Sequence, residues 1–575
     1  MVSLNELEKL RSCDVDKLAW TIVSACRGAG FADRSVYAAA YVLMRALEDF
    51  QISIDSMDYY FQTAKESETR ELFIRQSLEE CWDGIRELKY RFSADEFKAL
   101  LLFYNGSGNR GWDSPTPESV SRLAARLLQV KPGMKVLDIG TGMGSFIREC
   151  AALSPEASYT GLEINTEMAV IAEIRAEILG GDIQIRLENL FDGNANDRQY
   201  DAVFANYPIG MRARGAGSLG EEYIRELAEK TPMFGKLNSL DWVFNRKAYD
   251  CVAGPGRVIC MMANGSTWNT IDRNARRYFM ELGIVEMVIT LPARIYDTMG
   301  VGTTMIVFSH GNLKTMMVDA SDLCEKGRRM NIITDANIER ILDACSHETE
   351  ISRAVTFNEI AEKQFNLSPA AYLEPEEDAI ENGAELGTIV SITRGAQLQA
   401  AALDEMASSK ATDCQYLMLA NIQNGIIDDE LPYLREIDDK LQKYCLKNNN
   451  LILSKNGAPF KVAVAEVQPG QHILANGNLY VMTVDETRAD PYYLKAYLES
   501  EKGAAALKRI TVGTTIPNLG VEQLKRLLIP LPMLEEQKKI ADEYRACVTE
   551  LKILRRKTAK TIDRMSHVYD SSKEG

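Results

Sequence analysis

The sequence predicts an α/β protein: a mainly parallel sheet wrapped by helices, with a helical region before it and an α+β region after it. Three observations carry that expectation. Between about residues 131 and 310, short apolar or β-branched runs alternate with longer amphipathic stretches. Strands that alternate with helices pair in parallel, because each helix carries the chain back to start the next strand in the same direction. Residues 1 to about 105 show apolar residues at helical spacing instead, and from Leu386 short strands are separated by turns ahead of a long charged helix.

In the first region Leu18, Ile22 and Ala25, then Tyr37, Tyr41 and Met44, recur at steps of three and four, with almost no glycine or proline after Gly30. The turn-rich NGSGNRGWDSPTP (105–117) ends it, and ESVSRLAARLLQV resumes a helix. The expected strands then follow as KVLDIG, SYTGLEI, IQIRLENL, DAVFANYP, GRVICMMA, VEMVITLP and TTMIVFS, while 311–375 reads as mixed. The last region holds the strands of LGTIVSITRGAQ and NLILSKNGAPFKVAVAEV, a helix-like stretch at 491–508 and a helix from about 534 to 567. On that helix Ile540, Tyr544, Cys547, Leu551, Leu554, Thr558, Thr561 and Met565 step by four and three, a heptad seam. The expected division is therefore 1–105, 106–375, 376–533 and 534–575, in line with roughly three or four domains at ~150 residues each.

Composition narrows the class. Of 575 residues 46% are hydrophobic and 26% charged, which excludes a largely disordered chain. Apolar runs fall far short of the ~20 residues that span a bilayer, and the start MVSLNELEKLRSCD lacks the pattern of a signal peptide. The eleven cysteines include no CxxC pair, so neither a disulfide framework nor a thiolate metal site is expected, and the simplest setting is the reduced cytoplasm. The net charge of −16 is unevenly placed: residues 1–375 carry 41 basic and 53 acidic side chains, whereas 440–564 carry 21 and 13. A net of +8 in the second window can hold a polyanion on an otherwise acidic chain, because local potential governs contact.

Two motifs carry chemistry. VLDIGTGMGSF (136–146) places Asp138, Gly140, Gly142 and Gly144 between a strand and a helix, where glycines let backbone approach a ligand and the helix start offers free amides. No Lys-Ser or Lys-Thr follows, which excludes a phosphate loop, and the G-x-G-x-G spacing differs from the dinucleotide fingerprint. Glu163, ending the next strand, is placed for ribose hydroxyls, and Asp138 for a positively charged amino group. This set fits S-adenosylmethionine better than NAD. The second motif is Asn206-Tyr207-Pro208-Ile209, at the carboxyl end of a strand, where parallel sheets bind ligands.

The second motif resembles the Asn-Pro-Pro-aromatic motif of amino-group DNA methyltransferases, in which carbonyls orient an exocyclic amine. GWDSPTPESVSRLAARLL, ahead of the glycine motif, and IVEMVITLPARIYDTMGVGTTMIVF and FNLSPAAYLEP, after the second motif, resemble in order segments of type I restriction-system modification subunits. The resemblance implies a Rossmann-like S-adenosylmethionine-dependent methyltransferase over about 110–375, with Thr116, Pro117 and Asn189 joining the cofactor residues. Tyr207 replaces the first proline and Ile209 the stacking aromatic, and Tyr296 is an alternative source of a flat face.

LGTIVSITRGAQ, LMLANIQNGIIDD, LILSKNGAPFKVAV and VGTTIPNLGVEQLKRLLIPLPMLEEQKKIADEY resemble one target-recognition half of a type I specificity subunit. Lys455, Asn456, Lys461, Lys508, Arg509 and Thr514 are its candidate contacts to double-stranded DNA. In that family the terminal helix is a spacer against a second half, so a second copy or another recognition subunit is an expected partner, and cleavage would need a separate restriction subunit. The implied activity is adenine-specific DNA methylation. Two alternatives stay open: a DNA-binding module with a degenerate methyltransferase fold, and an amino-group methyltransferase acting on protein or RNA.

Overall fold

The computed structural model describes residues 2–26, 33–106, 115–191, 199–212, 217–234, 237–296, 300, 302–328, 330–373, 383–457, 459–512 and 518–571. The chain divides into two compact units, Met1–Leu373 and Glu374–Gly575.

The first unit opens with seven helices: α1 (Leu4–Arg11), α2 (Val15–Ala25), α3 (Asp33–Glu48), α4 (Met57–Ala64), α5 (Glu68–Leu78), α6 (Trp82–Arg86) and α7 (Ala94–Phe103). Short polar residues start most of them. Ser93 and Glu96 form a reciprocal capping box at α7, which satisfies amides the helix cannot bond itself. Helix α8 (Glu118–Leu128) then leads into a nine-stranded sheet.

Its strands are β1 (Lys135–Ile139), β2 (Ser158–Glu163), β3 (Asp182–Leu187), β4 (Tyr200–Ala205), β5 (Val252–Ala263), β6 (Val285–Thr290), β7 (Thr303–Phe308), β8 (Lys314–Asp319) and β9 (Ser352–Thr356). They lie in the order β3-β2-β1-β4-β5-β7-β6-β8-β9. Strands β1 to β5 pair in parallel, and β7 runs antiparallel between β5 and β6. All six residues of β7 are buried, so the strand needs cover on both faces and finds it inside the sheet rather than at an edge. The stretch that reads as mixed in sequence supplies two more strands, β8 parallel to β6 and β9 antiparallel at the edge. Helices α9 (Ser145–Leu153), α10 (Thr166–Leu179), α11 (Gly217–Lys230), α12 (Asp241–Asp250), α13 (Arg273–Glu281) and α14 (Asp335–Ser346) alternate with the strands.

The early helices and the sheet layer share one core. Val170, Ile171 and Ile174 of α10, with Met143, pack among Tyr37, Tyr41 and Leu100. Arg175 of α10 is wholly buried and donates to the carbonyls of Leu101, Tyr104 and Met143 at 2.7–3.0 Å. Burial lowers its pKa to about 10, which leaves it charged at neutral pH. The end of α7 is a suitable home for that charge, because the last carbonyls of a helix point their negative ends outward.

In the second unit an antiparallel sheet pairs Val390–Arg394, Leu479–Val484, Leu451–Ser454 and Val462–Val464 in that order. A second sheet runs Ala407–Ser408, Tyr433–Leu434, Cys414–Leu417, His472–Ala475. The helix-like stretch near 491–508 is two helices, Pro491–Glu499 and Glu501–Arg509, broken at Ser500, whose hydroxyl caps the second.

The unit ends in one helix, Leu534–Ser571. Its buried face follows the expected apolar seam only in part: Tyr544 and Leu551 are half-buried, Tyr544 against the core of this unit. Gln537 and Ala541 are fully buried, whereas Ile540 and Leu554 are 45% and 50% exposed and Met565 is 69% exposed. The glutamine sets this phase: it accepts from the Asp490 amide and donates to the carbonyls of Arg488 and Pro532. Polar bonds of this kind bury a residue that an apolar pattern assigns to the surface. Arg545 to Asp490, Lys552 to Glu466 and Arg556 to Asp429 continue the attachment along the helix. Among the described residues, no helix is long and apolar enough to cross a membrane.

Candidate functional site

One cavity of about 850 Å³ opens at the carboxyl ends of β1, β2 and β4, a size ordinary for a small-molecule site. Each wall traces to one strand. Beyond β1 the chain turns through Gly140, Gly142 and Gly144, all at positive φ, before α9. Gly140 is required by its surroundings as well as by its φ of +70°. A Cβ there would stand 3.0 Å from the Asn206 carbonyl oxygen, so the glycine turn and the segment after β4 lie against each other.

Beyond β2, Glu163 lines the cavity and braces it. One carboxylate oxygen accepts from the Gly142 amide at 2.8 Å, and the other from the amides of Ile164 and Asn165 at 2.8 Å. Glu188 and Asn189, after β3, complete that side, and the Oε1 of Glu188 is buried with no hydrogen-bond partner among the described residues.

Asp138 stands elsewhere. It is only 2% exposed, lies off the cavity wall, and accepts from the Thr141 hydroxyl at 2.6 Å. Burial, opposed by that hydrogen bond and reinforced by Glu163, raises its pKa to about 7. The sequence points to direct contact with a ligand's amino group; in the structure Asp138 is buried, with the Thr141 hydroxyl of the glycine turn as its partner. Pro117 and Gly144 are likewise off the wall, while Thr116, Gly140 and Gly142 are on it.

Beyond β4 come Asn206, Tyr207, Pro208 and Ile209, all on the wall. The Asn206 amide nitrogen of the side chain donates to Thr116 Oγ1 at 2.7 Å, and Tyr296 donates a longer bond, 3.4 Å, to Asn206 Oδ1. Thr116 thereby fixes which way the carboxamide faces. Ile209 is half-buried and packs against the cluster that contains Tyr296. Tyr207, in the position where the motif has proline, buries its ring and stacks on Phe244 at 4.5 Å and 12°. Its hydroxyl lies 3.0 Å from the Asp241 carbonyl and 2.7 Å from Asn245 Oδ1.

Phe191, Phe244, Met211 and Arg212 also line the cavity. Sequence reasoning passes over them, and the one available signal is the placing of Met211 and Arg212 directly after the motif. Arg212 is exposed, and among the described residues it is the one lysine or arginine on the wall.

The candidate DNA contacts lie in the second unit. Lys455 exchanges backbone bonds with Asn478 and Leu519, and burial followed by the charge of Arg394 lowers its pKa. Asn456 bridges to Asn518, and its Oδ1 is buried without a hydrogen-bond partner among the described residues. Lys461 is committed to its own fold, with Nζ donating to the Leu419 carbonyl at 3.0 Å. Lys508 is exposed and Arg509 half-buried in the last turn of Glu501–Arg509. Thr514 lies outside the described residues.

Known proteins resemble this chain in both units. Residues 97–380 match the family described as N-6 DNA Methylase, and residues 403–559 match that described as Type I restriction modification DNA specificity domain. The Type I restriction enzyme MjaVII methylase subunit of Methanocaldococcus jannaschii is 23% identical over 327 residues, 51% of this chain and 54% of that protein. The Type I restriction enzyme MpnII methylase subunit of Mycoplasma pneumoniae is 22% identical over 310 residues, 49% of this chain and 57% of that one. The chain thus spans about half the length of the curated relatives it matches. The solved structure of the type IIG restriction endonuclease BpuSI covers 94% of this chain and 74% of its own at 12% identity, with a TM-score of 0.50, a likeness of fold.

Proposed function

We propose that this chain, whose residues 97–380 match the N-6 DNA methylase family and 403–559 the type I specificity domains, methylates the exocyclic amine of adenine in double-stranded DNA. One observation carries the reading: Asn206 and the glycine turn line the same cavity from adjacent parallel strands, so close that a Cβ on Gly140 would stand 3.0 Å from the Asn206 main-chain carbonyl oxygen.

The wall suits S-adenosylmethionine. Gly142 leaves room for a ligand against the backbone, Glu163 and Asn189 offer acceptors to ribose and base, and the Glu188 oxygen, without a partner among the described residues, is a further acceptor. S-adenosylmethionine supplies a methyl group from a sulfonium centre. The chain's own work is positioning. Asn206 Oδ1 and the Tyr207 carbonyl accept the two N–H bonds of the amine, which turns its lone pair toward the cavity. Transfer of that methyl group would leave a thioether, and the surplus proton of the amine would pass Oδ1 to solvent. No strong base is needed, since fixed acceptors stabilise the positive charge that develops on nitrogen. The adenine must leave the duplex to reach Asn206.

Sequence recognition then belongs to the second unit. Lys508 is its most exposed candidate phosphate contact, Arg509, Lys455 and Asn456 are further candidates, and Lys461 is tied to the Leu419 carbonyl of its own fold. The exposed distal part of Leu534–Ser571 is the surface for a second recognition half, from another copy or another subunit, and a separate restriction subunit would provide cleavage in a restriction-modification system. Cytoplasmic residence follows from that role.

The test is sequencing of genomic DNA for modified adenine in cells that express the protein. Wild type should mark one recurring sequence and Asn206→Ala none, while purified Asn206→Ala keeps its calorimetric affinity for S-adenosylmethionine. An unmarked genome with wild type, together with DNA binding intact, would favour the degenerate binding module.

A further inference from the structure

Around the acceptor segment the first turn of α12 makes a set of contacts that neither motif in the sequence announces. Asp241 is fully buried, with Oδ1 accepting from the Gly210 amide at 2.9 Å and Oδ2 from the Ala263 amide and the Ser266 hydroxyl at 3.1 and 2.7 Å. Just before it, the Leu240 amide donates to the Met211 carbonyl at 2.7 Å. Phe244 stacks on the Tyr207 ring, and Asn245, also fully buried, meets the Tyr207 hydroxyl. The turn therefore holds the segment at Tyr207, Gly210 and Met211, while the Asn206 amide is held from the other side by the Ile139 carbonyl at 3.1 Å.

We propose that the first turn of α12 is a clamp that sets the acceptor pair, with Asp241, Phe244 and Asn245 as positioning residues and the Tyr207 side chain as the piece they grip. A proline at position 207 would restrict the backbone by its ring, because φ is locked near −65°. Tyr207 has no such restriction, and its carbonyl would swing with rotation about its own backbone. The grip on its ring and hydroxyl supplies the missing restraint through tertiary packing. Burial raises the Tyr207 pKa well above its ordinary value, so the hydroxyl keeps its proton at any pH the protein meets. The clamp also joins the acceptor segment to β5 through Ala263, so that both carbonyls are referred to the rigid sheet rather than to a loop.

This deepens the methyltransfer reading and rests on it for its kinetic consequence, so the test has a second readout that does not. Tyr207→Phe removes one hydroxyl and keeps the stacked ring. Hydrogen exchange followed by mass spectrometry should show amides of 206–211 exchanging at least tenfold faster in this variant, with peptides from β1 and β5 unchanged. In methyl transfer kcat should fall about tenfold, with the KM for S-adenosylmethionine within twofold of wild type. Asn245→Leu should act in the same direction, and the double variant should be no worse than Tyr207→Phe alone, because the hydroxyl that variant lacks is the group Asn245 meets. Unchanged exchange over 206–211 overturns the clamp whether or not the wild type methylates DNA. A wild type that transfers no methyl group, with the local exchange response intact, removes the methyltransferase reading and leaves the clamp standing. Unchanged kcat alongside a lowered Tm reduces these residues to ordinary core.

Discussion

Asp138 holds its proton more tightly in the folded chain, at about 7, than an unfolded aspartate does at about 3.9. Between those values the folded state binds more protons, so stability falls as pH rises from about 4 to about 7 and stays at its lower level above. Asp138→Asn should remove that slope, raising Tm at pH 8 but not at pH 4 when no ligand is present; scanning calorimetry across pH reads it directly. Gly140→Ala makes the opposite kind of change. A side chain at φ +70° costs about 1–2 kcal/mol of backbone strain, and the new methyl presses on the Asn206 carbonyl from 3.0 Å. Both halves of the site should suffer together, with S-adenosylmethionine affinity and kcat each down at least tenfold by calorimetry and a methylation assay. Residues such as Gly140, Glu163 and Asn206 are legible in sequence because strand ends and local spacing place them. Asp241 and Asn245 are not, because their partners in the acceptor segment, Gly210 and Tyr207, lie 31 and 38 positions away and are met only once α12 has packed on the sheet.

Elements fared unevenly, and the reason is which forces set each one. The alternation of β1 to β5 with helices is written in local apolar runs, and so is the order of the motifs along the sheet. The place of β7 is not, since a strand buried on both faces reads the same wherever it inserts. The phase of Leu534–Ser571 was hidden for the reverse reason: Gln537 is buried by three hydrogen bonds rather than by apolarity. A comparable polar anchor in the first unit is Arg175. Arg175→Met should leave three carbonyls at the end of α7 and in the glycine turn without their donor, each worth about 1–3 kcal/mol when buried. Tm should drop by several degrees by differential scanning fluorimetry. S-adenosylmethionine binding should weaken with it, because the Met143 carbonyl sits inside the turn.

At the level of the whole molecule, the long helix spans about 57 Å at ~1.5 Å per residue, and its attachments to its own unit reach Arg556. Ile553, Leu554, Ile562 and Met565 lie 49–69% exposed along the rest. If a second copy covers that stripe, light scattering will show a two-fold dimer on DNA, and Leu554→Asp with Ile562→Asp will return it to monomer without unfolding it. A dimer of single recognition halves would favour a symmetric, interrupted target; a wild type monomeric on DNA with a short asymmetric target makes the helix a brace alone.

The shared packing of α10 with the early helices has a practical consequence for anyone dividing the chain. The methylase family match begins at residue 97, which suggests cutting there. Such a cut would strip Tyr37, Tyr41, Ile74 and their neighbours from Val170, Ile171 and Ile174, leaving a broad oily surface directly behind the glycine turn. At about 1.5–3 kcal/mol for each large apolar side chain uncovered, a fragment of 97–373 should collect in inclusion bodies, and the first ninety-six residues are better regarded as the support on which α10 and the glycine turn rest than as an appendage.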